Sequence, residues 1–436
     1  MDQVQELSLN EGQQAAADGF FQFLMDPNQK ELIISGAGGV GKTFTMGHLI
    51  DEVLPRYYDA CQLANIQPKY HDVVMTATTN KAAAVLAEAT NRPTQTVHSY
   101  FDLTVNQNFK TGETELKRKK IWTCKTNTII FIDECSMIDR DLHREILDGT
   151  LNCKIVYVGD HNQLAPIKEE LSPIYNHRLP FFNLTQQMRT SDADLQALNQ
   201  QLRDTVETGV FRPIQIKPGI IDKYDGHQME ACFKQLFSTQ NRDARIMAYT
   251  NNRVIEYNNY IRNLRGLHGP YQVGELLVSN GATELGKGEM LSVEEEVEVM
   301  KTSLTTQAIT IDHDRSVTLD VWFMDLKSSY GYYTDVAVPA DRGHWEQLIK
   351  WYAKQKEWAT YFHLKNMYAD LRPRDACTVH KAQGGTYETA IIDLDDISNC
   401  RDPKVAARLL YVAFSRAKKH VIVYGDLAEK FGGLVR

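Results

Sequence analysis

ELIISGAGGVGKTFTMGHLI, residues 31–50, decides how the rest of this chain is read. Within it, GAGGVGKT (36–43) fits the pattern G-x-x-x-x-G-K-[ST]. An apolar run, ELIIS, precedes it and a helix-like run, FTMGHLI, follows it. Glycines let backbone N–H groups wrap an anion, and the helix turns its positive N-terminus toward the same place. In such a loop Lys42 reaches the β- and γ-phosphates of a nucleotide and Thr43 ligates Mg2+. Gly36, Gly38, Gly39, Val40, Gly41 and Phe44 complete the cradle. The bland alternative is a glycine-rich turn with an incidental lysine; a strand before it and a helix after it argue against that.

Two more apolar runs end in residues suited to the same chemistry. TIIFIDECSMID (128–139) brings Asp133 and Glu134 to the end of a strand. Asp133 suits the shell of a magnesium ion, and Glu134 suits deprotonation of an attacking water. A lone Asp-Glu pair is usually a solvated strand end; after a P-loop it reads as a hydrolytic site. VGDHNQLAPI (158–167) follows another apolar strand and carries Gln163, a neutral donor and acceptor able to report a γ-phosphate. Hydrolysis also calls for a further positive charge, which is worth about 10³–10⁵ in rate. Arg189 in LTQQMRT (184–190) and Arg416 in YVAFSRAKK (411–419) are the candidates, although each by composition alone is an ordinary surface arginine.

The 436 residues, 43% hydrophobic and 24% charged, suit a soluble globular chain of about two to three domains. No apolar run approaches the roughly 20 residues of a membrane span. The polar opening MDQVQELSLNEGQQ has no secretory pattern, and seven scattered cysteines without a CxxC pair suit reduced thiols in the cytoplasm. A net charge of −8 excludes a simple basic nucleic-acid coat, not a local basic track such as Lys117–Lys120.

Near-continuous apolar runs at 31–35, 72–78, 128–134 and 154–160, and again at 245–251, 389–394 and 420–426, predict two parallel sheets covered on both faces. Helix-like stretches such as 44–54 and 81–89 alternate with them, which argues for an α/β fold. Residues 102–122 read as a hairpin with a Lys-Thr-Gly-Glu turn. Residues 266–370 break the pattern: alternating strands predict a small β-barrel, and 344–371 predicts helix, with Trp345, Trp351 and Trp358 along it.

Taken in order, GAGGVGKT, TATTNKAA (76–83), TVHSYF (96–101), DECSM (133–137), GDHNQLAP (159–166), LTQQMR (184–189), TVHKAQGGTYE (378–388) and YVAFSRAKK resemble the motif series of superfamily 1 helicases. The resemblance is strongest to the Dda-like helicases of T-even phages, with RecD-type enzymes further off, and VHKAQG marks the 5′-to-3′ branch. It spans nearly the whole chain, including LNEGQQAA (9–16). It implies two RecA-like P-loop domains in tandem, an inserted hairpin in the first, and an SH3-like barrel plus helical tower inserted in the second. The implied boundaries are 1–185 for the first motor domain, with the hairpin "pin" at 102–122, then 186–265 and 371–436 for the second, and 266–370 for the insertion.

The resemblance also implies an ATP-dependent DNA helicase that moves 5′-to-3′ along single strands in phage replication or recombination, with ATP and Mg2+ as cofactors. Gln13 matches a glutamine that reads adenine; Arg189 and Arg416 match arginines that reach the γ-phosphate; Gln383 matches one that couples nucleotide state to strand position. Thr79, His98, Thr378 and His380 fall in motifs that line the single-stranded track, and Phe109 in the hairpin is placed to stack at the fork. Packed loop residues and a solvated hairpin are their bland alternatives. Dda-like sequences tend to carry His where this chain has Asn80, so a stacking imidazole is missing there. The implied partners are single-stranded and forked DNA, with a single-stranded-DNA-binding protein or replisome proteins beyond them; a monomer in the host cytoplasm, with no membrane role, is expected. Two alternatives stand: a DNA-stimulated translocase that mainly strips bound proteins, and a P-loop kinase or switch, which leaves 378–388 and 411–419 without a job.

Overall fold

In a computed structural model, residues 9–435 are described except 108–113, 165, 167, 168, 170, 177, 189, 191, 287 and 288. The first four apolar runs form one sheet. Its six strands are ordered Phe181–Leu184, Glu31–Gly36, Lys154–Gly159, Thr128–Asp133, Asp72–Ala77 and Thr94–Thr96. All five pairings are parallel. Alternate side chains of the central strands feed opposite cores, as the pleat requires. Leu32, Ile34, Phe131, Val156 and Val158 join the helix Glu11–Met25 on one face. Ile33, Ile130, Ile132, Ile155 and Tyr157 pack with the helix Arg140–Asp148 on the other.

The last three runs form a second parallel sheet of five strands, ordered Ile221–Tyr224, Ala417–Tyr424, Tyr387–Asp393, Ala244–Ala248 and Ala376–Thr378. Met247, Ile392 and Val423 face one core, and Ile246, Ile391 and Ile422 the other. Both expected sheets are therefore present, each sandwiched between apolar layers.

Residues 102–122 do pair as a hairpin, with Leu103–Gln107 antiparallel to Thr114–Arg118. The basic run Lys117–Lys120 lies on this hairpin and on the residues just after it. Lys117 pairs with Glu115 at 2.5 Å while staying exposed, Arg118 pairs with Glu145 at 2.6 Å, and Lys119 and Lys120 are exposed. Between the two halves of the second sheet's sequence lies an antiparallel sheet. Its path is Gln307–Asp312, Val317–Lys327, Glu296–Thr302, Leu276–Ser279 and Leu371–Pro373, with Tyr332–Pro339 also paired to Val317–Lys327. The helices Arg342–Gln355 and Trp358–Met367 pack beside it. Trp345 is buried there and donates to the Leu364 carbonyl at 2.9 Å, a packing role. No helix among the described residues is long and apolar enough to cross a membrane.

Candidate nucleotide site and nucleic-acid face

Strand order builds the site. The strand that ends in the glycine loop, Glu31–Gly36, lies beside Lys154–Gly159, which lies beside Thr128–Asp133. At their carboxyl ends, the loop carrying Gln163 therefore emerges between Lys42 and the Asp133-Glu134 pair, where open α/β sheets bind ligands.

Glycine is required in the loop for two reasons. Gly41 has φ +82°, and a Cβ there would lie 2.6 Å from Gln13 Nε2. A Cβ on Gly36 would lie 2.7 Å from both the Leu184 carbonyl and Val40 Cγ2. Lys42, first residue of the helix Lys42–His48, donates to the carbonyls of Gly36 at 2.8 Å and Ala37 at 3.1 Å. Thr43 is half-buried beside it, and Phe44 is 39% exposed. Gln13 is buried against the loop: its Nε2 donates to the Val40 carbonyl at 3.4 Å. Its Oε1 accepts from Asn10 N–H at 3.1 Å, closing a capping box on the first helix. The residue expected to read adenine thus also holds a helix end.

Burial first, and Glu134 second, push the Asp133 carboxyl up to about 7, with Lys42 pulling it back. A carboxylate so raised is one that gains from a cation beside it. Glu134 sits at φ +54°, in the left-handed region that a glutamate enters only at a cost. Its carbonyl accepts from Thr78 Oγ1 at 3.2 Å.

Gln163 is 2% exposed, and its Oε1 has no hydrogen-bond partner among the described residues. A buried orphan acceptor of this kind fits a site built to receive a donor. The loop around it belongs to both sheets. Leu164 is seated in the core of the second sheet, among Val379, Ala382 and Leu410. Gln383, with its amide turned to suit its neighbours, accepts from Leu164 N–H at 3.2 Å and donates to the His380 carbonyl at 3.3 Å. From the helix Pro403–Phe414, Arg408 donates to the carbonyls of His161, at 2.8 Å, and Gln163, and Tyr411 O–H donates to Asp160 at 2.7 Å.

Arg416 follows the same helix and is 2% exposed. Its guanidinium donates to Val412 O at 3.0 Å, Gly385 O at 3.3 Å and Ser415 Oγ at 2.8 Å. The surface-arginine reading of Arg416 is thereby set aside. Lys418 and Lys419 pair with Glu388, at 3.4 and 2.8 Å. Arg189 and Phe109 lie outside the described residues.

The residues expected along a nucleic-acid track divide between the two sheets. Thr79 caps the helix Asn80–Thr90 through Ala82 N–H, at 3.1 Å. His98 is half-buried in a single helical turn, and burial holds it below the ordinary histidine range. Thr378 is buried and accepts from Lys381 N–H at 3.4 Å; His380 is exposed, its ring 6.4 Å from that of Tyr249. The inserted sheet touches this face: Tyr330 O–H donates to the Asn80 carbonyl at 2.9 Å. Sequence reasoning did not single out Asp160, Leu164, Arg408 or Tyr411, although all four lie within or beside quoted motifs.

The AAA domain family matches residues 8–213, and the UvrD-like helicase C-terminal domain family matches residues 375–424. The first covers the glycine loop, Asp133-Glu134 and Gln163; the second covers Thr378, Gln383 and Arg416. In these two matches, and in the order of its motifs, the chain is similar to the superfamily 1 helicases. The ATP-dependent DNA helicase dda of Enterobacteria phage T4 is 23% identical to this chain over 463 residues, 95% of this chain and 98% of that one. An uncharacterized protein of Acanthamoeba polyphaga mimivirus is 23% identical over 499 residues, 94% and 99% of the two chains. Among solved structures, Pif1 helicase from Bacteroides, in complex with ADP-AlF3 and ssDNA, aligns with TM-score 0.49 at 14% identity, over 99% of this chain and 95% of that one.

Proposed function

We propose that this chain is an ATP-dependent DNA helicase that moves 5′-to-3′ along a single strand and separates the duplex ahead of it, in phage replication or recombination. The observation that carries this reading is the loop Asp160–Leu164, which follows the strand between those ending at Gly36 and Asp133 and is tied to the second sheet through Arg408, Tyr411 and Gln383. The T4 relative's name as an ATP-dependent DNA helicase supports it.

In this reading ATP enters the cleft with its β- and γ-phosphates on Lys42 and the loop N–H groups, and its base beside Gln13. Thr43 and Asp133 would hold Mg2+, which neutralises phosphate charge when bound. Glu134 accepts a proton from water as the water oxygen bonds to the γ-phosphorus. The bond from that phosphorus to the bridging oxygen breaks, releasing ADP and phosphate. Arg416, with Arg189, carries charge toward the γ-phosphate, Gln163 reports its presence, and Gln383 couples nucleotide state to strand position. Thr79 and His98 grip the strand from the first motor half, and Thr378 and His380 from the second. Alternation of those grips moves the chain by a short step. Contacts to phosphates dominate, so binding weakens with salt.

The domain reading is 1–185 and 186–265 plus 371–436 as motor halves, with 102–122, including Phe109, as the splitting pin. Residues 266–370 act as an SH3-like barrel and tower that brace it. Single-stranded and forked DNA are the proposed partners, with a strand-binding protein or replisome proteins beyond them, and the working form is a monomer in the host cytoplasm. Strand displacement on partial duplexes bearing a 5′ or a 3′ tail tests this directly. Preference for the 3′ tail overturns the polarity, and unwinding that survives deletion of the hairpin overturns the pin. DNA-stimulated hydrolysis with negligible unwinding gives the protein-stripping translocase instead.

A further inference from the structure

The loop Asp160–Leu164 divides its polar backbone between its own turn, where Gln163 N–H donates to the Asp160 carbonyl at 3.1 Å, and groups on other elements. His161 N–H reaches Ser35 Oγ at 3.4 Å on the first sheet's strand, and Leu164 N–H reaches Gln383. The carbonyls of His161 and Gln163 take Arg408. Asp160 anchors the base of the loop. Its side chain is fully buried; Oδ1 accepts from Asn162 N–H at 3.1 Å and Oδ2 from Tyr411 O–H at 2.7 Å. A buried carboxyl group left without donors is costly, so this phenol is not an optional contact. Burial, and then Asp160, push the Tyr411 hydroxyl well above its ordinary range, so it stays a donor at any working pH.

Tyr411 and Arg408 are three positions apart on the helix Pro403–Phe414 and share a face. Arg416 is folded back onto the last turn of that helix, through Val412 and Ser415. A shift of the helix end against the loop therefore moves Arg416 relative to Gln163.

We propose that Tyr411 is a positioning residue for hydrolysis: by holding Asp160, its hydroxyl fixes the loop that presents Gln163 and the helix that carries Arg416 in one geometry. This rests on the ATPase reading above. It assigns to the bond across the two motor halves the task of registering two γ-phosphate groups supplied by different sheets. Small displacements of such groups are expensive, because the barrier depends on their placement to well under an ångström.

The test is steady-state ATP hydrolysis at saturating oligo-dT by Tyr411→Phe, Asp160→Asn and the double variant. Dissociation constants for a fluorescent ATP analogue and a labelled oligonucleotide are measured alongside. Tyr411→Phe is expected to lose about tenfold to hundredfold in kcat while both dissociation constants stay within about twofold. The double variant is expected to be no slower than the slower single variant, as one shared bond requires. A Tyr411→Phe kcat within about twofold of wild type overturns the proposal, as does loss of nucleotide affinity in step with kcat, the mark of a merely structural contact. Should Tyr411→Phe fail to fold, Asp160→Asn carries the same readouts. A wild-type protein that hydrolyses ATP without stimulation by single strands counts against the helicase reading, not against this bond.

Discussion

Arg416 donates to the carbonyl of Gly385 at 3.3 Å, and no carboxylate among the described residues forms an ion pair with it. A guanidinium is always charged, so burying it beside carbonyls and a serine leaves a strong electrostatic demand in place. Arg416→Ala is expected to bind ATP and DNA and to hydrolyse about 10³-fold or more slowly. DNA-stimulated turnover near that of wild type removes Arg416 from the site.

Glu134 separates chemistry from stability. Glu134→Gln keeps the side chain's shape but not its basicity, so ATP binding should persist while hydrolysis falls by about 10²–10⁴. Glu134→Gly should be equally inactive yet no less stable, because glycine adopts φ +54° without strain. Thermal melts of the two variants check this; a glycine variant that melts well below the glutamine variant refutes the strain.

Leu164 is 5% exposed and lies in the core of the sheet opposite its own. Truncation to alanine should cost about 2–5 kcal/mol. Urea unfolding measures it; a loss of a few tenths of a kcal/mol would mean that the seat is loose.

His161 supplies a pH dependence. Burial, helped by the charges of Arg203 and Arg408, lowers its pKa against the pull of Asp160 and of Glu207, whose carboxylate lies 3.6 Å from Nε2, while Nδ1 lies 2.8 Å from Ser35 Oγ. The folded ring stays neutral where the unfolded one gains a proton, so stability is full above about pH 6.5 and falls as pH drops below it. Stability measured from pH 7.5 to 5 should show a shallower acid slope in His161→Gln than in wild type. Equal slopes contradict the assignment.

The P-loop, the Asp133-Glu134 pair and both sheets were legible because each is written in contiguous residues: a spacing of glycines, or an apolar run of strand length. The Tyr411–Asp160 bond was not, since its partners stand 251 positions apart and neither carries a local signature of the other. The ion pair of Arg118 was not legible either, because Glu145 becomes its neighbour only once the hairpin packs on the helix Arg140–Asp148. Gln13 shows a third limit. Asn10 followed by Gln13 is a readable capping box, yet the same side chain also touches the glycine loop, and spacing alone gives no way to weigh two tasks on one amide.

The seat of Leu164 gives the motor a thermal signature. If the two halves part, an apolar side chain leaves a packed core and meets water, so opening the cleft raises the heat capacity. Apolar hydration near room temperature is opposed mainly by entropy, and that opposition grows on warming. Warming should therefore tilt the empty motor toward its closed form and cooling toward its open one. The stepping rate would then bend away from a straight Arrhenius line even when the chemical barrier does not.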